Sequence, residues 1–158
     1  MTDYYDELRR DPAAVLYQLN PSLFVGDVNN CPATADAVDN YLASGDLTRA
    51  DASGSRFRID SDLHTAALPT IMENLAALGH GHHYVIRGTR GHESRFAPNH
   101  YFVLANIHNR VVLIDAYTHE LLDSSPTIQE YLRRGQFRRF AFATRFEASP
   151  PPGRPNRR

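Results

Sequence analysis

The stretch Asn30–Leu42, NCPATADAVDNYL, decides what kind of fold this chain adopts. Proline fits a helix best at the first helical position, and the residue before a proline prefers the extended backbone of an N-cap. Gly45 is typical of a helix end. Four side chains between these points recur at helical spacing and predict one buried face: Thr34, Val38, Tyr41 and Leu42. The stretch therefore predicts a helix that begins at Pro32, with Cys31 as its N-cap.

A thiol at this place has chemistry that an ordinary cysteine lacks. The positive end of the helix macrodipole lowers the pKa of the thiol and favours the nucleophilic thiolate. The unpaired N–H groups of the first turn, with the side chain of Asn30 or Asn29, are suited to hold the oxyanion of a tetrahedral intermediate. The alternative is that Cys31 is simply a small buried hydrophobic residue, which is the commoner role of a lone cysteine.

The overall composition indicates one globular domain. The chain has 158 residues, 42% of them hydrophobic, and a single cysteine, which excludes an internal disulfide. It contains no apolar run long enough for a membrane span, and its acidic start lacks the features of a signal peptide, so export is expected to use another signal or a larger parent chain. We divide the chain into an N-terminal helical segment (1–22), a catalytic domain (23–147) and a disordered Pro/Arg-rich tail (148–158).

Charge is distributed unevenly between the two halves. Residues 1–86 carry twelve acidic residues and five arginines, whereas residues 87–158 carry six acidic residues and twelve arginines. Arg133 and Arg134 are explained as partners of a helix dipole at its C-terminus. We therefore do not expect a nucleic-acid or membrane partner.

Hydrophobic periodicity predicts a mixed α+β chain. Helices are predicted over 3–10, 12–19, 68–78 and 127–134, with Ile71, Met72, Leu75 and Leu78 on the buried face of the third. Strands are predicted over 84–86, 100–107, 110–115 and 137–146. The other predicted features are a buried approach segment at 23–25, a loop at 26–30 that presents Cys31, a long loop at 44–62 with at most a short strand at 56–59, and no internal repeat.

A cysteine nucleophile needs a base, and the base needs an acceptor that orients it. His100 opens one predicted strand and Asp115 closes the next, with a short turn at His108-Asn109 between them. If those two residues form the turn, Ile107 faces Arg110, and Asp115 lies on the same sheet face as His100 and diagonal to it. Side chains bridge such a diagonal, whereas a slip of one residue would place the pair on opposite faces.

The remaining histidines suggest no metal site. His80, His82 and His83 lie close together in the sequence, but no second His or Cys pair with ligand spacing accompanies them. His82 and His83 are instead expected to lie in a loop before the strand and to line the cleft. No phosphate-binding glycine motif is present, and no cofactor is expected.

The residues around Cys31, His100 and Asp115 resemble a known family. Asn30-Cys31 with Ala37-Val38-Asp39 and Leu42, a later helix that ends in glycine, and the strand from His100 that leads to Asp115-Ala116 resemble the papain-fold domains of bacterial polymorphic toxins, whose relatives include protein-glutamine deamidases. The similarity covers roughly residues 23–122 and its motifs are short. Thr34 stands where many members have a second Cys, Asn99 replaces a Gly, and Tyr117, assigned here to the substrate cleft, stands where Gln is common.

The resemblance implies an α+β papain-like fold, in which N-terminal helices carry the nucleophile at a helix start and pack on an antiparallel sheet. It implies a Cys31-His100-Asp115 triad without a cofactor, delivery by a specialised secretion system or as part of a larger toxin, action in the target-cell cytoplasm, and a cognate immunity protein. The expected activity is deamidation of glutamine in a target-cell protein. The alternatives are a cysteine peptidase or acyl transferase of the same fold, an RNA-cleaving toxin that uses His108, His119 and Arg110, and a noncatalytic binding domain.

Overall fold

The computed structural model of the chain describes residues 2–21, 31–50, 63–91 and 98–143, and for Cys31 it describes the backbone alone. Within these residues there are five helices, α1 (Tyr4–Arg10), α2 (Pro12–Leu19), α3 (Cys31–Ser44), α4 (Leu68–Leu78) and α5 (Ser125–Gly135). The six strands are β1 (His64–Thr65), β2 (His82–Arg90), β3 (Asn99–Ile107), β4 (Arg110–Asp115), β5 (Glu120–Leu122) and β6 (Phe137–Ala143). The chain is therefore an α+β protein.

The helix ends follow the local signals in the sequence. Asp11 caps α2 by accepting a hydrogen bond from the Ala14 N–H at 3.3 Å, and Pro12 occupies the first turn. α3 begins at Cys31 itself, one residue before the predicted start. It ends before Gly45, whose φ of 79° lies in the left-handed region that glycine adopts without strain.

All six strands belong to one antiparallel sheet with the order β1-β6-β2-β3-β4-β5. The β3–β4 hairpin turns at His108 and Asn109, with φ of 53° and 66°. Two consecutive positive φ values are typical of the type I′ turn, which fixes the register of the strands it joins. Ile107 pairs with Arg110 and Val103 with Ile114, so the predicted register is confirmed.

Helices cover both faces of the sheet. α1, α2 and α3 pack on the face that carries the odd-numbered residues of β3, such as Tyr101 and Val103. α4 and α5 pack on the opposite face, against Phe102 and Leu104. Successive residues of β3 therefore belong to different cores, which explains why almost the whole strand is buried.

Some sequence expectations require correction. Leu78 was expected on the buried face of α4 but is 47% exposed, because it lies in the last turn, past the part that covers the sheet. β2 is much longer than the predicted 84–86, and β1 and β5 were not predicted. The segment 23–25, the loop 26–30, the strand 56–59 and the tail 148–158 lie outside the described residues. None of the described helices has the length and apolar character that a membrane span requires.

Candidate active site

The site is built on the open end of the β3–β4 hairpin. Asp115 follows Ile114, which pairs with Val103, so the carboxylate lies diagonally across from His100. The His100 Nε2–H donates to Asp115 Oδ2 at 2.7 Å. Both side chains are on the face that α4 and α5 cover, beside Phe102. The hydrogen bond predicted from the hairpin register is thus present, whereas its catalytic role stays a prediction.

Asp115 is saturated with hydrogen-bond donors. Its Oδ2 also accepts from the Tyr131 hydroxyl at 2.6 Å, and its Oδ1 accepts from the backbone N–H groups of Tyr117 and Thr118 at 2.9 and 3.4 Å. Burial alone would raise the pKa of this carboxyl, which is 1% exposed, but the hydrogen bond and charge of His100 and the hydroxyl of Tyr131 lower the pKa below its usual value. The carboxylate is therefore ionised and fixed in orientation.

Aromatic rings enclose the imidazole. The Tyr117 ring meets it edge-on with centroids 5.7 Å apart, and the Phe137 ring lies nearly parallel to it at 6.3 Å. Tyr131 is 6.5 Å away. His100 is only 9% exposed as a result. Tyr117, which the sequence assigned to the substrate cleft, is thus next to the predicted base.

α3 carries the predicted nucleophile on the other face of the sheet. Asp39, in the second half of α3, forms a hydrogen bond with His83 of β2, which lies beside Ala105 near the end of β3. The first half of α3 contains buried residues as well. Cys31 precedes Asp39 by about 12 Å of helix. The Cys31 side chain, Asn29 and Asn30 lie outside the described part of the chain, so the nucleophile and the oxyanion hole stay predictions.

His82 and His83 are not brought to His100, which corrects their expected place in the cleft. They pair with Asn106 and Ala105, at the far end of β3. Five residues of strand separate Ala105 from His100, or about 17 Å. The error arises because β2 begins at His82, so that the two histidines belong to a strand and not to a loop.

His83 instead forms a second buried His–Asp–Tyr cluster. Its Nε2 forms a hydrogen bond with Asp39 Oδ1 at 2.7 Å, and its Nδ1 forms one with the Tyr5 hydroxyl at 2.6 Å. Both ring nitrogens are therefore engaged within the fold. The cluster joins α1, α3 and β2.

The residues proposed for RNA cleavage are also separated. His108 and Arg110 lie at the turn between β3 and β4, whereas His119 lies at the opposite end of β4. The His119 ring stacks on Tyr17 with centroids 3.8 Å apart. No shared site for RNA chemistry results from this arrangement.

A cluster at the far end of the sheet has the composition of a metal site but not the geometry. Potential ligand atoms of Asp6, His80 and His108 lie within 4.8 Å of one another. However, His80 Nδ1 accepts a hydrogen bond from the His108 N–H, so its proton is on Nε2, where it is donated to Asp3 at 2.6 Å. A metal on His80 Nδ1 would therefore have to displace this backbone donor. The two rings are also within 16° of parallel, so their lone pairs do not converge.

Tyr131 and Phe137 are members of the site that the sequence does not predict. Tyr131 lies three residues after Ile128 on the buried face of α5, a spacing that predicts burial but not a hydrogen-bond partner. Phe137 begins β6, which reaches the site only because β6 is next to β2 in the sheet. Neither contact has a signal in the local sequence.

The fold and the buried His–Asp pair define an α+β protein with helices on both faces of an antiparallel sheet, a fold that is also found in a bacterial effector. The chain matches no protein-family model, and a search of curated proteins finds no match. Among solved structures, it is similar to the Salmonella effector SpvD in its G161 variant, with a TM-score of 0.57 and 12% sequence identity. The match covers 88% of this chain and 77% of that chain. At this identity the likeness concerns the fold alone.

Proposed function

We propose that this chain is an effector domain of papain-like type that hydrolyses a carboxamide through a cysteine thioester, with glutamine of a target-cell protein as the substrate. The observation that carries the proposal is the 2.7 Å hydrogen bond between His100 Nε2 and the buried Asp115. A buried carboxylate that orients an imidazole is the arrangement that supports a nucleophile and its base. The shared fold with a bacterial effector supports the effector class.

The two His–Asp–Tyr clusters differ in the partner of the tyrosine hydroxyl. In the His83 cluster the Tyr5 hydroxyl bonds the ring nitrogen Nδ1, whereas in the His100 cluster the Tyr131 hydroxyl donates to the carboxylate of Asp115. Because Asp115 holds Nε2 of His100, we assign proton exchange with the thiol to Nδ1 of the same ring.

Cys31 is the proposed nucleophile because it begins α3, where the helix macrodipole favours a thiolate. β4 ends at Asp115, level with Phe102, and the chain turns away at Ala116. Within the described residues, no strand continues beside His100 on that side. We propose that the thiol approaches the imidazole past this end of β4.

In the proposed reaction, His100 Nδ1 takes the thiol proton, and Sγ of Cys31 forms a bond to the carboxamide carbon. The Cys31 N–H and the side chain of Asn30 or Asn29 stabilise the oxyanion. The C–N bond then breaks as His100 returns the proton to the leaving ammonia, which leaves a thioester. Water, deprotonated by His100, attacks the thioester, and the C–S bond breaks to give the acid and the thiol. Asp115 keeps the imidazole in one tautomer throughout.

The leaving group distinguishes the reaction classes that the same residues support. Departure of ammonia makes the protein a glutamine deamidase. Departure of a main-chain amine makes it a peptidase, and attack of an amine on the thioester makes it a transferase. Action inside a target cell and neutralisation by a cognate immunity protein belong to the same proposal.

We expect the purified chain to convert glutamine to glutamate in proteins of a target-cell lysate, and we expect the Cys31→Ala variant to do so no faster than a lysate without the chain. Peptide mass spectrometry measures the converted residues and any new protein termini in the same sample. Cys31→Ser is the matched control for size and polarity, and it should be nearly inactive as well, because a hydroxyl at this position is scarcely ionised. New termini would indicate the peptidase. Identical lysates with the wild-type chain and Cys31→Ala would contradict the proposal.

A further inference from the structure

Tyr131 is buried beside the His–Asp pair but has no part in the proposed chemistry. It lies on α5, two elements after the strand that carries Asp115, and its hydroxyl donates to Asp115 Oδ2 at 2.6 Å. The same oxygen accepts from His100 Nε2 at 2.7 Å. The hydroxyl and the imidazole thus share one carboxylate oxygen.

We propose that Tyr131 is a positioning residue: its hydroxyl fixes the carboxylate of Asp115 and disperses the carboxylate charge, and so sets the basicity of His100. This inference rests on the proposed function only in treating His100 as the base. The hydrogen bonds themselves do not depend on it.

Hydrogen bonds fix the orientation of the Asp115 carboxylate. A carboxylate oxygen has two lone pairs, so Oδ2 is saturated by His100 and Tyr131. Oδ1 is held by the backbone N–H groups of Tyr117 and Thr118. With both oxygens fixed, the carboxylate does not rotate about its terminal bond, and Nε2 of His100 has one acceptor position.

The Tyr131 hydroxyl also acts electrostatically. A hydroxyl that donates to a carboxylate stabilises its negative charge, so the carboxylate attracts an imidazolium less strongly. Burial is the main reason that the pKa of Tyr131 is raised well above its usual value, and the charge of Asp115 raises it further. The hydroxyl therefore stays a donor over the whole working pH range. Among the described residues, the other charged or titratable groups near the pair are Arg90 on β2, Glu120 on β5, Arg134 on α5 and Tyr117 after β4.

Packing does not explain why this residue is tyrosine. The Tyr131 ring meets the Phe102 ring edge-on with centroids 5.5 Å apart, a contact that phenylalanine would also make. The hydroxyl is what distinguishes the two residues, and its described partner is Asp115. Tyr131→Phe therefore removes the proposed role and retains the packing.

The test is NMR titration of the histidine rings in the folded wild type, in Tyr131→Phe and in Tyr5→Phe. We expect Tyr131→Phe to raise the pKa of His100 by about 1 unit, because the carboxylate loses a donor and binds the imidazolium more tightly. Tyr5→Phe, which removes the analogous hydroxyl from the His83 cluster, should alter the His83 signals and leave His100 unchanged. A folded Tyr131→Phe variant with unaltered His100 titration would overturn the inference.

A second measurement uses the wild type, so that a variant that does not fold leaves the inference testable. The Tyr131 hydroxyl proton should exchange slowly with water and couple to the Asp115 carboxyl carbon, because it is buried in a short hydrogen bond. A rapidly exchanging hydroxyl would also overturn the inference. Neither readout needs a substrate, so a failure of the deamidase proposal leaves both results interpretable.

Discussion

Asp115→Ala is expected to lower the free energy of unfolding by about 3 kcal/mol, more than any polar substitution on the protein surface. The change leaves the Tyr131 hydroxyl, the His100 ring and two backbone N–H groups without their acceptor in a buried site. Each unsatisfied buried donor is penalised because water does not reach it. Urea denaturation of the wild type and the variant measures the difference.

Asp123→Ala is the matched control. This carboxylate pairs with the Arg9 side chain at 2.8 Å, and both partners are well exposed. An exposed pair contributes roughly 0.5 kcal/mol or less, so the control should be close to wild type. Equal losses for Asp115→Ala and Asp123→Ala would contradict the role we give to the buried carboxylate.

The difference in the free energy of unfolding between the wild type and Asp115→Ala is also expected to depend on pH. The pKa of Asp115 is lowered in the folded protein, so the unfolded chain binds a proton more readily. The contribution of Asp115 is therefore complete above the unfolded pKa of about 4 and is lost as the pH falls through the lower, folded value. The gap between wild type and Asp115→Ala should narrow in acid.

His100→Ala is expected to slow conversion of glutamine by at least about a thousandfold. Without the imidazole, the thiol has no base, and the departing ammonia has no acid. The initial rate of glutamate formation in a target-cell lysate, followed by peptide mass spectrometry, measures the effect. His82→Ala is the control, because His82 is exposed and lies at the other end of the sheet.

The rate of the His100→Ala variant decides whether His100 acts as the base. A rate near that of Cys31→Ala, with His82→Ala at the wild-type rate, supports the role of His100 as base. A folded His100→Ala variant that retains the wild-type rate would remove His100 from the mechanism, whatever the role of Cys31.

Local signals in the sequence are sufficient to predict the helices and strands that form the site. Asp11-Pro12, Pro32 and Gly45 mark helix ends by backbone preferences that do not depend on the rest of the fold. The turn at His108-Asn109 fixed the hairpin register, and with it the contact between His100 and Asp115. These are short-range effects, which is why one sequence was enough.

Contacts between elements that are distant in the sequence have no such local signal. Tyr131 meets Asp115 because α5 packs across the sheet, and His83 meets Asp39 because α3 covers the other face. The two-residue strand β1 is too short to show a period. The likeness to the Salmonella effector SpvD at 12% identity illustrates the same limit, since the fold is shared where the sequence is not.

The central claim is that Cys31 is a thiolate nucleophile paired with His100, and the pH dependence of its alkylation tests this most directly. The chain has a single cysteine, so iodoacetamide reports on Cys31 alone. We predict an apparent thiol pKa well below the ordinary value of about 8.5, and a return toward that value in the His100→Ala variant. A folded wild-type thiol that is inert, or that reacts with the pH profile of the urea-unfolded chain, would contradict the account.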